Sequence, residues 1–94
     1  MTDKILFLVQ SDYSSTPQAL SKLQKIYSPE DTIVLMGEAV LYFSVEWLKE
    51  CVSLYILRTD TELLIEELPD FIDLIDYLKF ADIILQFNRC IRLK

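Results

Sequence analysis

Two cysteines, a scatter of carboxylates and a hydroxyl-rich loop are the groups in this chain that could do chemistry, and there is no histidine anywhere. Without imidazole, His-assisted nucleophiles, His proton shuttles and imidazole metal ligands are all excluded. Cys51 and Cys90 lie far apart, with no C-x-x-C and no spacing that suits zinc. Two unpaired thiols fit a reducing compartment. Cys51 falls within an apolar helical arc and reads as a buried, inert thiol. Cys90 falls on the polar side of a strand between Arg89 and Arg92, whose charge would favour the thiolate, and it is the one candidate sulfur-handling thiol. Glu38 and Asp60 could be imagined as an acid/base pair. Both open helices, however, where a carboxylate favours the dipole with no catalytic role, so no catalytic residue is assigned. The loop Gln10–Thr16 carries the hydroxyls of a flavodoxin-like phosphate site, but it has no Gly, and Pro17 removes an N–H donor from the helix start. A Ser/Thr-rich turn is expected there. Asp12 alone does not supply the acidic cluster of a phospho-accepting receiver domain. No cofactor-binding residue, cofactor or metal ligand is assigned.

The elements that hold these groups must come from a small chain. Ninety-four residues suit one domain, 1–94, and a 52% hydrophobic composition is too apolar for disorder. No apolar run approaches the ~20 residues of a membrane span, and Met1-Thr-Asp-Lys4 does not open a signal-type segment. A cytoplasmic location is expected. The net charge of −6 argues against direct nucleic-acid binding, which needs a basic surface. Arg89, Arg92 and Lys94 crowd the last six positions, as in a strand edge protected by charge.

Lys4-Ile-Leu-Phe-Leu-Val9 reads as a central strand. A helix is predicted from Pro17 to about Ile26 with Thr16 as its cap. Asp31–Met36 and Val52–Leu57 are two further apolar strands flanking a segment, Gly37–Cys51, with helical spacing. Gly37, the only glycine, sits where the chain must swing from strand to helix. At 100° per residue Leu41, Val45, Leu48 and Val52 form the expected core stripe. Val40, Phe43, Trp47 and Cys51 widen the apolar arc to roughly 200°, about twice what a helix lying on a sheet requires. Either a loop or C-terminal segment covers the excess, or another subunit does. The short chain favours the subunit, making Val40, Phe43 and Trp47 the candidate subunit interface. Thr59-Asp-Thr-Glu62 has the form of a capping box and predicts a short helix to about Glu67, with Leu63, Leu64 and Leu68 inward. Phe71–Ile75 is ambiguous between an extended piece and an early helical turn. Asp76 should cap a helix of about ten residues, with Leu78, Ala81, Ile84 and Leu85 apolar, and Ile91 and Leu93 alternate with polar residues in a half-exposed strand. The order predicts an α/β fold with a mainly parallel sheet and helices on both faces, its functional loops beyond the carboxyl ends of the strands.

Lys4-Ile-Leu-Phe-Leu-Val9, Thr32-Ile-Val-Leu-Met-Gly-Glu-Ala-Val40, Leu54-Tyr-Ile-Leu-Arg-Thr-Asp60 and Ile75-Asp-Tyr77-x-x-Phe80, in this order and spacing, resemble the DsrH/TusB family of sulfur-relay subunits over nearly the whole chain. The resemblance implies a small three-layer DsrE-like (flavodoxin-like) domain. It implies a hetero-oligomer with related DsrE/TusD-like and DsrF/TusC-like subunits, a dimer of heterotrimers passing persulfide sulfur toward 2-thiolation of the tRNA wobble uridine. In sulfur-oxidising organisms the homologous complex serves sulfur trafficking. The persulfide-carrying cysteine of such complexes lies in a sister subunit, in the loop after its third strand, where this chain has Arg58-Thr59-Asp60. The implied role is a non-catalytic structural subunit with neither direct nucleic-acid nor membrane contact. The alternative is a stand-alone homo-oligomer with Cys90 as a persulfide-accepting thiol. The chain departs from the family where Glu38-Ala39-Val40 replaces the usual acidic-Gly-Val step, and where Ile91-Arg-Leu-Lys94 lacks the aromatic residue near the C-terminus of many members.

Overall fold

The strands are continuous apolar runs, and such runs settle where both faces of a sheet are covered. A computed structural model describes residues 4–28, 30–50, 53–64 and 68–94. Its elements run β1 (Ile5–Val9), α1 (Thr16–Ile26), β2 (Thr32–Leu35), two 3-10 segments (Gly37–Tyr42 and Glu46–Glu50), β3 (Ser53–Leu57), a third 3-10 segment (Arg58–Leu63), β4 (Ile72–Ile75), α2 (Tyr77–Leu85) and β5 (Arg89–Leu93). All five strands form one parallel sheet in the order β4-β3-β2-β1-β5. The result is a three-layer α/β fold consistent with the flavodoxin-like type. The ambiguous Phe71–Ile75 stretch resolves as β4, because Ile72–Ile75 pairs with Leu54–Leu57.

Strand alternation divides the core in two. On one face Phe7, Val9, Ile33, Leu35, Leu54 and Ile56 pack beneath α1 and the 3-10 segments. On the other, Leu6, Leu8, Val34, Leu57 and Ile75 meet Ile83 of α2, with Phe80, Ile84 and Phe87 packed around them. Burying each such side chain contributes about 1.5–3 kcal/mol. The change of face follows from the order of strands. The chain steps steadily from β1 to β4, then returns past all of them to reach β5 beside β1, so a crossover of constant hand must run over the opposite face.

The middle segment corrects the sequence reading. Instead of one α-helix, Gly37–Tyr42 and Glu46–Glu50 are separate 3-10 segments with a break between them. Val40, Tyr42, Phe43, Val45 and Trp47 are β-branched or aromatic, and such residues are modest helix formers. With three residues per turn, i and i+3 share a face. Val40 and Phe43 therefore point together into the chain's own core and are fully buried or nearly so, while Leu41, assigned to the core stripe, is exposed. Trp47 is half-buried in the same cluster, its ring centroid 5.6 Å from that of Tyr27. Val40 and Phe43 are thus withdrawn from the surface, and Trp47 is largely occupied by its own chain. The apolar excess was an artefact of projecting a 3-10 pattern at the α-helical angle. Val52 and Cys51 lie outside the described residues.

The predicted helix after Thr59 is only a 3-10 segment ending at Leu63, without a side-chain cap; Thr61 Oγ1 instead donates to the Arg58 carbonyl at 2.6 Å. Its expected continuation through Glu67 lies outside the described residues, while Leu64 and Leu68 pack on the core. Asp76 does cap α2, accepting from the Lys79 N–H at 2.8 Å. The inward face of α2 differs from expectation: Leu78, Ala81 and Leu85 are exposed. Asp31 is buried and clips the start of β1 to the turn before β2. Its Oδ1 accepts from the Ile5 N–H at 2.9 Å and its Oδ2 from the Ser28 N–H at 3.0 Å.

Candidate functional site

Three loops meet beyond the carboxyl ends of β1, β2 and β3, where sites in open α/β sheets gather. The first, after β1, is built around Asp12. Its Oδ1 accepts from the Ser15 N–H at 2.8 Å and the Ser14 hydroxyl at 3.2 Å. The Ser15 hydroxyl, the Ser15 N–H and the Ser14 hydroxyl, in that order, hold the Asp12 carboxyl below its ordinary pKa. Thr16 Oγ1 donates to the Asp12 carbonyl at 2.6 Å and is paired with Ser11 Oγ at 2.7 Å, both hydroxyls buried. The hydroxyls of this loop are therefore engaged with one another and with the loop's own backbone, as a Ser/Thr turn requires. The helix begins at Thr16 itself with Ser15 at the N-cap and no side-chain cap hydrogen bond, so the cap expected of Thr16 is not formed; its hydroxyl instead turns back to the Asp12 carbonyl.

Carboxylates stitch the loops together. Glu38 Oε1 accepts from the Tyr13 N–H at 3.0 Å, tying the second loop to the first. Asp60 Oδ2 accepts from the Gly37 N–H at 2.9 Å, tying the third to the second. Gly37 has φ +58°, the left-handed region in which L side chains are strained. Tyr42 lays its ring against Tyr13, centroids 5.1 Å apart, and its hydroxyl donates to the Tyr13 carbonyl at 3.0 Å. Partial desolvation, then hydrogen bonding to Tyr13 and the Tyr13 phenol's charge, push the Tyr42 phenol above its ordinary pKa. Glu38 and Asp60 thus each bind a backbone N–H of a different loop. The arrangement is a three-loop clamp with three carboxylates, Asp12, Glu38 and Asp60, at one edge of the sheet. That charge repels anions. Neither the Tyr13–Glu38 link nor the Gly37–Asp60 link is foreshadowed in the sequence, since each joins residues from separate loops.

Cys90 stands elsewhere. It is exposed on the edge strand β5, in register with Leu6 of β1 and so toward the amino ends of the strands, away from the clamp. Alternation puts Arg92 on the same face as Cys90 and Arg89 on the other. Among the described residues no group of three or more His, Cys, Asp or Glu is placed to hold a metal ion, and no helix is long and apolar enough to cross a membrane. The loop after β3, Arg58-Thr59-Asp60, contains no thiol, and its Asp60 is the residue that anchors Gly37.

No protein-family model matches the chain, and no curated protein matches its sequence.

Proposed function

We propose that this chain is a non-catalytic structural subunit of a DsrH/TusB-like sulfur-relay complex, supporting persulfide transfer toward 2-thiolation of the tRNA wobble uridine. The observation that carries the reading is the loop after β3. In such complexes a sister subunit presents its sulfur-carrying cysteine there, whereas this chain has a 3-10 segment whose Asp60 is hydrogen-bonded to the Gly37 N–H. A residue that fastens two loops is suited to a rigid supporting surface. The five-stranded parallel sheet with helices on both faces is compatible with the sandwich that the resemblance implies. Partners on this reading are DsrE/TusD-like and DsrF/TusC-like subunits in the cytoplasm.

Deleting the gene and measuring 2-thiouridine in bulk tRNA by mass spectrometry tests the proposal. Loss of the modification, restored equally by the natural chain and by Cys90→Ser, is the expected result. Unchanged 2-thiouridine in the deletion would overturn it and would favour the related role in sulfur trafficking during sulfur oxidation. The exposure of Cys90 favours a second reading, a stand-alone homo-oligomer with Cys90 as persulfide acceptor. Treating the protein with a persulfide donor, alkylating it and weighing it decides this: absence of a 32-Da addition on Cys90, roughly the mass of one sulfur atom, removes the thiol role.

A further inference from the structure

The two edges of the sheet match each other level by level. Leu8 is in register with Arg92 on one side and Val34 on the other, Val34 with Tyr55, and Tyr55 with Asp73. One row across the strands therefore reads Arg92-Leu8-Val34-Tyr55-Asp73, with a cation at the β5 end and a carboxylate at the β4 end. The row below it runs from Ile91 to Ile72 and the row above it from Leu93 to Leu74, apolar at both ends. Residues of one row share a face of the sheet, so Arg92 and Asp73 lie on the α2 side and the four apolar end residues on the α1 side. Arg92 and Asp73 are exposed, and among the described residues neither is ion-paired. Leu74 is 42% exposed at its edge.

The backbone follows the same scheme. The Leu93 carbonyl accepts from the Gln10 N–H at 2.8 Å, so Leu93 turns its backbone groups toward β1 and Arg92 turns its own to the free side of β5. The Val9 carbonyl accepts from the Met36 N–H at 2.9 Å, so the row Val9-Leu35-Ile56-Leu74 faces away from β5. Leu74 thus presents its N–H and carbonyl at the outer side of β4.

We infer that the β5 edge of one copy takes the β4 edge of a second copy as its next parallel strand, with Arg92 opposite Asp73, Ile91 opposite Ile72 and Leu93 opposite Leu74. In that register the Arg92 N–H donates to the Ile72 carbonyl of the second copy, and the Leu74 N–H of the second copy donates to the Arg92 carbonyl. Strands about 4.8 Å apart set Arg92 and Asp73 side by side on one face. Charge decides the occupant. Two β5 edges would bring Arg89, Arg92 and Lys94 against the same three residues, and two β4 edges would bring the Asp73 carboxylates together; only unlike edges attract. A contact between different surfaces does not close at two copies, so it continues into short, twisted, head-to-tail oligomers. A four-residue strand buries less than a standard interface does, and each copy carries a net charge of −6. Each step is weak, with a dissociation constant on the order of 0.1 mM. The inference goes beyond the sulfur-relay reading and stands if that reading fails, because it concerns only contacts between copies of this chain.

Sedimentation velocity of the purified full chain from about 5 µM to 1 mM, in salt near physiological strength where charge repulsion is screened beyond about 8 Å, tests it. The natural chain should pass from monomer through dimer to larger species. Arg92→Pro and Leu74→Pro each remove an outward N–H and no hydrogen bond within the sheet, so each should remain monomeric with an unchanged circular dichroism spectrum. Mixed in equal amounts they should form a dimer and nothing larger, because Arg92→Pro keeps its β4 edge and Leu74→Pro keeps its β5 edge. Arg92→Asp should weaken each step about tenfold by setting like charges opposite, and Arg92→Asp with Asp73→Arg in one chain should restore it. These charge variants decide the matter if a proline variant fails to fold. A natural chain that stays monomeric at about 1 mM or stops at a dimer, folded proline variants that assemble alone or fail to pair when mixed, or a reversal that the double exchange does not rescue would each overturn the inference.

Discussion

Replacing Asp31 by Ala removes a carboxylate that holds two segments of backbone together. The side chain is only 3% exposed; its two oxygens separately accept from the N–H of Ile5, at the start of β1, and the N–H of Ser28, in the turn between α1 and β2. Hydrogen bonds to a charged acceptor contribute about 1.5–3 kcal/mol each, and both of these are partly buried, so the lower end of the range applies to each. The sum is about 3 kcal/mol. For a domain of this size that corresponds to a fall in melting temperature of roughly 12–24 °C. Asp31→Asn keeps one acceptor and turns an amide donor toward the other N–H, so it should cost at least half as much. Glu30→Ala, one residue away and exposed, is the control and should change stability by no more than ~0.5 kcal/mol. Thermal melts and urea titrations of the three variants supply the measurement. An Asp31→Ala protein melting within about 4 °C of its parent would refute the argument that this clip fastens the first strand.

Trp47→Ala should lower the stability of the isolated monomer by about 2–3 kcal/mol in urea titrations, because the ring is half-buried against Tyr27; a loss of assembly with unchanged monomer stability would instead restore Trp47 to a subunit contact. Gly37→Ala should cost about 1–2 kcal/mol through its positive φ alone, since a Cβ there meets nothing within 4 Å, and Gly37→Asn should cost less. The Asp12 carboxyl has its folded-state pKa below the unfolded value of about 3.8, so its contribution is complete above that pH and is lost as pH falls through the lower folded value. Acid titration of the natural chain against Asp12→Ala should show the two stability curves converging below pH ~3.8, with the difference constant at neutral pH.

The sheet was legible in the sequence because strands buried on both faces are written as uninterrupted apolar runs, and β1, β2 and β3 fall where those runs do. The alternation near the C-terminus was equally plain: Ile91 and Leu93 are half-buried, while Cys90, Arg92 and Lys94 are exposed. The Asp76 cap follows from local chemistry alone. The middle segment was not legible, since an apolar series at i and i+3 suits both an α-helix and a 3-10 helix, and only the winding decides which side chains share a face. For the same reason an α-helical projection puts Val40 and Phe43 at the surface, whereas the 3-10 winding buries them. In α2 two apolar stripes compete, Phe80–Ile83–Phe87 and Leu78–Ala81–Leu85. Sequence gives no direction to the sheet, and the bulkier stripe took the core. β4 needed its partner: Ile72–Ile75 becomes a strand by pairing with β3. The clamp at the carboxyl edge was invisible in outline although its residues were noticed, because Glu38 and Asp60 reach backbone groups more than twenty positions away.

The placement of β5 has a consequence for how this protein is made. Its hydrogen-bonding partner is β1, Ile5 opposite Arg89 and Val9 opposite Leu93, so the first strand of this sheet is completed by its last one. Until then one side of β1 presents unpaired amides and carbonyls, and the face that α2 later covers is open. Closure at such long sequence separation is slow, so the pairing of β5 with β1 should come late in the folding of the sheet.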